Sequence, residues 1–391
     1  MPTSFFDLYQ QIQEDRYFER LALEPQAQFG SEQQPLLGAS ILPERLVEEN
    51  SYEETQVRYR TQPALDNNRY SPTQKQANGH LIGSFRVDLG HTDTQKEFTG
   101  KDYDDLLKLL MRDSDMEAIQ RLIRWSDNEL VRPHTIKNEI QRWQALLKAE
   151  VQRRTNNGEM ETVTYYRPET HFVEVESGSL ANPEGWYDND YDPFDDIELG
   201  VETLEGLGYQ VTGAYSTSYL ARVLRRNAKI VGRSTSITVN ANGQITSTTN
   251  RVSNTVLDDV MLDESYPVIT RYNGGYEGPT KFQRYMQVDE DADYLLLTGS
   301  TQRRYELATD YVGVTQADVG EFADGALVLD NTLGYYAVGR NVGQSSPGRT
   351  LKTWPNEKKP VGMGGESYQT GLPVLADPQA YYVIKVKRPT A

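Results

Sequence analysis

The sequence predicts an α+β protein, and three observations carry that prediction. Between Ser114 and Arg154, apolar residues recur every three or four positions, with Ile136, Ile140, Trp143, Leu147 and Val151 as the later members of the series. That spacing places them on one face of a helix. On either side lie short stretches in which apolar and polar residues alternate, as strands with one wet face require. The tract Glu48 to Thr99 holds so few apolar residues that it cannot form a core of its own.

The composition narrows the function classes. The chain has 391 residues, 37% hydrophobic and 25% charged, which suffices for one large folding unit or two to three smaller ones. Its 25 Tyr and 10 Phe are spread along the whole length, whereas disordered chains are poor in aromatics. There is no cysteine, which excludes a disulfide framework and a thiolate metal site. His80, His91, His134 and His171 form no His-x-x-x-His pair, which weakens a zinc reading. The net charge of -17 repels nucleic-acid phosphates at long range, although a local basic face could still bind them. Apolar runs such as Tyr294 to Leu297 and Tyr381 to Ile384 are too short to cross a bilayer. The start Met1 to Asp7 shows no basic segment leading into a hydrophobic one, so folding in a cytoplasm is expected.

Along the chain, Phe5, Leu8, Tyr9, Ile12 and Phe18 predict a short amphipathic helix, and Glu24 to Gly38 an extended arm. Val57, Tyr59, Phe85, Val87 and Leu89 predict a two-stranded ribbon around the polar stretch Pro63 to Gly79. Tyr103, Leu106, Leu107 and Leu110 mark a helix. Ser114 and Glu117 form a capping box for the next, which Pro133 either kinks or divides. A nearly continuous helix from Ser114 to Arg154 would be about 60 Å long at about 1.5 Å per residue. One compact core cannot enclose such a rod.

Strands are expected at Thr162 to Tyr166 and Phe172 to Val175. Asp192-Pro193 opens a helix to Leu207, and another includes Tyr219, Leu220, Val223 and Leu224. Asn242-Gly243 predicts a hairpin within Ser234 to Thr249. Further strands are expected at Val268 to Thr270, Tyr294 to Thr298, Ala326 to Leu329, Tyr335 to Val338 and Tyr382 to Val386, with Gly339 to Gly365 as a long loop anchored by Trp354.

Three segments resemble a known family. These are Tyr191-Asp192-Pro193-Phe194-Asp195-Asp196-Ile197-Glu198, Ala326-Leu327-Val328-Leu329-Asp330-Asn331-Thr332 and Leu375-Ala376-Asp377-Pro378-Gln379-Ala380-Tyr381. They are similar, in order, to segments of the lambda-type branch of tailed-bacteriophage major capsid proteins. The fold of that family was first described for the phage HK97 shell. The resemblance implies an N-terminal arm (1–47), an extended loop (48–99), a peripheral domain with the spine helix (100–192), an axial domain (193–371) and a return to the peripheral domain (372–391).

It further implies hexamers and pentamers closing into an icosahedral shell around double-stranded DNA. Scaffolding, portal and decoration proteins would be partners, with assembly in the bacterial host cytoplasm. No enzyme activity, cofactor, metal site or membrane contact is expected.

The candidate intersubunit contacts are Arg58, Tyr59, Arg60, Arg69, Tyr70 and Phe85 in the extended loop and Arg121 and Arg124 on the rod. Aromatics such as these could insert into a neighbour while the arginines pair with its acids. The other basic residues from Arg112 to Arg154 read as a solvated helix face with intrahelical ion pairs or, on the capsid reading, as partners of neighbouring subunits rather than of packaged DNA, and His134 reads as a helix-surface residue.

Acidic clusters suggest other chemistries. Asp188, Asp190, Asp192, Asp195 and Asp196 could bind a hard cation, but Pro193 and Leu199 occupy the positions where an EF-hand needs Gly and Glu, so capping is expected. Asp258-Asp259 and Asp289-Glu290-Asp291 could supply paired carboxylates for a carbohydrate hydrolase. A tail-tube or minor virion protein is the other alternative.

Overall fold

The computed structural model describes residues 5–15, 17–18, 36–48, 51–58, 80–98, 100–110, 115–154, 159–234, 252–278, 280–300, 333–356 and 361–390. The expected hairpin around Asn242-Gly243, the strand at Ala326 to Leu329, and Pro63 to Gly79 lie outside the described residues.

Helix α1 (Phe5–Glu14) buries Phe5, Leu8, Tyr9 and Ile12, its predicted apolar face. It meets Leu106 and Leu110 of α3 (Lys101–Leu110), together with Ile119 and Leu122, in a small core that also takes in Phe98 and Met363. The Tyr9 hydroxyl sits 2.9 Å from Thr353 Oγ1. The start of the expected arm is thus docked on its own chain. A short helix, α2 (Leu37–Ile41), and strand β1 (Glu44–Leu46) follow. Strands β2 (Ser51–Arg58) and β3 (His80–Asp88) then form the expected ribbon, and β4 is Gly90–Phe98.

The rod runs without interruption through α4 (Asp115–Ser126), a π-helical turn (Asp127–Val131) and α5 (Arg132–Lys148). Its cause is local. Pro133 has no N–H to give to Glu129, and the Arg132 N–H reaches back to the Asp127 carbonyl, which widens the turn ahead of the proline. The rod is about 50 Å long at about 1.5 Å per residue, shorter than expected. Ala149 adopts a left-handed conformation with φ 54 and ends it. Glu150–Arg154, expected to be helical, is instead strand β5, paired antiparallel with β6 (Met160–Thr164).

After β7 (Phe172–Val175), α6 (Pro193–Gly206) starts where Asp192 caps it, its carboxylate accepting from Phe194 N at 3.0 Å. The remaining elements are β8 (Gln210–Ser216), α7 (Ser218–Leu224), α8 (Ala228–Ser234), α9 (Asn254–Asp263), β9 (Ile269–Arg271), β10 (Gly275–Glu277), β11 (Phe282–Arg284), β12 (Ala292–Ser300), β13 (Gly334–Val338), β14 (Thr350–Asn356), β15 (Gly362–Leu375) and β16 (Tyr381–Lys387).

Two five-stranded sheets form the body. In one the order is β7-β16-β12-β8-β9, and α6 and α7 lie on it. Leu295 to Leu297 and Tyr381 to Ile384 are fully buried, as central strands covered on both faces should be. Gly200 lets α6 come close, because a Cβ there would stand 2.8 Å from the Tyr382 ring.

The other sheet runs β1-β13-β15-β14, with β4 also paired to β15, and α5 packs against β15 and β4. β16, assigned to the peripheral part, is central in the first sheet, while β13, β14 and most of β15, assigned to the axial part, join β1 and β4 against the rod. β4, assigned to the extended loop, is a body strand. Its alternating burial is that of a half-solvated sheet strand, which a polar sequence disguises as free ribbon.

The stretch Gly339 to Gly365 also differs from the expected loop, since it contains β14 and the start of β15. The glycines there serve close approach. A Cβ on Gly364 would lie 2.3 Å from the Trp354 indole nitrogen, and one on Gly365 would lie 2.5 Å from Leu130 Cδ1 on the π turn.

Candidate intersubunit surfaces

The β2–β3 ribbon pairs Ser51 with Asp88 at its base and Arg58 with His80 toward its far end, with a bulge between Gln56 and Val57. Neither strand has another ladder partner among the described strands. A lone two-stranded ribbon is at best marginal in water. Its base is nevertheless fixed. On the entry side Val47 N donates to Val338 O at 2.9 Å, and on the exit side Leu89 is buried in the main core. Arg153 of β5 donates to the Asp88 carbonyl and holds Glu161 at 2.7 Å.

Of the candidate contacts, Arg58 and Phe85 are on this ribbon, Phe85 standing opposite Glu54. Tyr59, Arg60, Arg69 and Tyr70 lie outside the described residues. Arg121 reaches Asp102 and Asp105 of α3 at 3.5 Å each, so its charge is engaged within the chain. Arg124 is exposed on α4, with its neighbour Trp125 stacked edge-on against Phe98.

A buried polar network at the opposite end of the entry segment was not anticipated. Arg142, read as part of a solvated face, is 1% exposed, and Glu139 is fully buried. Arg142 Nη1 stands 3.5 Å from Glu139 Oε2, Nη2 stands 3.4 Å from Glu44 Oε1, and Nε donates to the Leu42 carbonyl at 2.9 Å. Glu139 Oε1 accepts from Gly38 N at 2.7 Å and from the Trp143 indole at 2.9 Å. The guanidinium lies over the Tyr336 ring, 5.0 Å from its centre. This network fastens residues 38–44, which lead into the ribbon, onto the rod. The Glu139–Arg142 spacing of three was the one signal in the sequence. The partners that bury the pair lie about a hundred positions away.

His134 also departs from expectation. It is 1% exposed, not on the helix surface, and lies between β4 and β15.

Several carboxylates of the acidic clusters make structural bonds. Asp192 caps α6 and pairs with Arg233 at 2.7 Å, while Asp196 accepts from Trp186 at 2.6 Å and Tyr191 at 2.8 Å. Asp258 is paired with Arg271, and Asp289 with Lys148 and Lys385. Burial tends to raise the Asp289 pKa, but hydrogen bonds from Lys148 and Tyr294 outweigh it and hold the carboxyl below its usual range. The Lys281 hydrogen bond lowers Glu290 in the same direction. A glycosidic general acid needs the opposite shift.

No protein-family profile matches the chain, and no curated protein matches it. Solved structures do. A phage-related protein of Bordetella bronchiseptica RB50 is 12% identical with a TM-score of 0.46, covering 89% of this chain and 91% of its own. A candidate capsid protein of a prophage in Escherichia coli CFT073 is 14% identical with a TM-score of 0.49, covering 95% and 98%. The holo-SrpI encapsulin of Synechococcus elongatus PCC 7942 is 10% identical with a TM-score of 0.42, covering 90% and 88%.

Proposed function

We propose that the chain is a shell-forming major capsid protein of a tailed phage, with the HK97-type organisation. The observation that carries this reading is the β2–β3 ribbon. It is rooted firmly at Val47, Leu89 and Arg153, yet its strands have only each other as ladder partners among the described residues. A fixed base under an uncompleted ribbon suits an element that is finished by a second copy of the same molecule.

On this reading the rod, β1, β4 and β13 to β15 form the peripheral layer, and the sheet containing β12 and β16, with α6 to α9, forms the axial part. Membership of the lambda-type branch belongs to the same proposal, as do hexamers, pentamers, scaffolding, portal and decoration partners, and packaged double-stranded DNA held by proximity rather than grip. The mechanism is association and conformational change, with many weak contacts repeated over a closed lattice.

Negative-stain microscopy of the purified chain, co-expressed with a scaffolding protein, tests it. Closed particles or capsomer rings are expected. Open helical tubes would indicate the tail-tube alternative, and a monomer that hydrolyses polysaccharides would indicate the enzyme.

A further inference from the structure

His134 stands where three elements meet. Its ring is on α5, its Nδ1 lies 3.0 Å from Thr92 Oγ1 of β4, and its Nε2 lies 3.1 Å from the Ser367 carbonyl of β15. A carbonyl only accepts, so Nε2 carries the proton and Nδ1 takes the Thr92 hydroxyl proton. That hydroxyl also lies 3.2 Å from the Gln369 carbonyl, so a single proton serves two acceptors. The charged and titratable groups bearing on the ring are Arg349, ahead of β14, and His91 on β4. Glu44 and Asp127 act on Arg349, and the flanking β15 residues Glu366 and Tyr368 are engaged by Lys352. No carboxylate among the described residues contacts the imidazole.

We propose that this junction is an acid-sensitive latch: neutral His134 holds β4, and with it the exit of the ribbon, to the rod and to β15, and a proton on the ring releases it. A second ring proton could still be hydrogen-bonded to Thr92. It would, however, be a buried positive charge beside Arg349 with no carboxylate in contact with it among the described residues. Proton uptake is therefore coupled to opening. The direction agrees with the titration of the group, because burial first and Arg349 second push His134 down to about 4 from its ordinary 6.5. The linkage follows from that sign. The stabilisation is fully present above about 6.5, falls as the pH drops toward about 4, and changes no further below that. The latch fastens the base of the ribbon whether or not the chain builds a shell, so its test is separate from the test of assembly.

Hydrogen exchange of the full chain, corrected for intrinsic rates, reads the opening of peptides covering residues 90–98 and 363–371. Between pH 7 and pH 4.5 the opening constant should rise on the order of 100-fold. In His134→Gln it should be nearly pH-independent, and in His91→Gln the rise should persist. A flat response in the unaltered chain, or a rise that survives in His134→Gln or disappears in His91→Gln, would overturn the latch. Should His134→Gln fold poorly, ring carbon resonances of the unaltered chain decide. With four histidines present, one is expected to stay in the neutral Nε2–H form down to about pH 4.5, and titration of all four near the ordinary value contradicts the proposal.

Discussion

Replacing residues 52–87 by a short Gly/Ser linker is expected to abolish particle formation while leaving the body folded. Ser51 and Asp88 are cross-strand partners, so their ends lie about 5 Å apart and a few residues close the gap. Among the described residues, the contacts that fix the base lie outside the excised stretch: Val47 to Val338, Leu89 in the core, and Arg153 to the Asp88 carbonyl. The melting temperature should therefore change by no more than about 1–2 °C, the equivalent of roughly 1 kcal/mol in a chain of this size. Sedimentation should show only small species where the intact chain gives particles. Particles of normal yield from the deleted chain would show that the ribbon is not a joint.

The second large effect is expected inside the molecule. Glu139→Ala removes the carboxylate that receives Gly38 N and the Trp143 indole and that faces Arg142. Arg142 would remain buried, with Glu44 at 3.4 Å and partly solvated as its nearest acid. Breaking a buried pair by deleting one partner costs about 3–5 kcal/mol, chiefly because the other charge is left uncompensated. Urea denaturation should show a loss of that size. Glu139→Gln keeps an acceptor for Gly38 and Trp143 and should lose less. A loss under about 1 kcal/mol for Glu139→Ala would mean that water or Glu44 already neutralises Arg142.

These two elements also show what the sequence could and could not reveal. The rod was legible because one apolar stripe must repeat every three or four residues, and Ile140, Trp143 and Leu147 keep that rhythm. The start of α6 was legible because Asp192 and Pro193 act within one turn, and the ribbon because alternation is a local property. The burial of Glu139 and Arg142 was hidden, since it depends on Gly38, Leu42 and Glu44 folding back from far along the chain.

Sheet membership was hidden for the same reason. β4 and β16 look alike as short strands, yet β16 is buried on both faces between β12 and β7, while β4 keeps one face half-wet beside β15. The glycines near Gly364 read as loop because the tryptophan and leucine that occupy their missing side chains come from other elements. His134 followed a proline on a charged helix, and nothing nearby in sequence announced Thr92 or Ser367 as its partners.

Shell assembly through the ribbon requires that β2 and β3 be completed by another copy of the chain. Hydrogen exchange of residues 51–58 and 80–88, compared between dispersed and assembled protein, measures this directly. Fast exchange in the dispersed chain, slowed at least about tenfold on assembly, is the predicted result. Equal and strong protection of both strands in a dispersed, monomeric chain would contradict it.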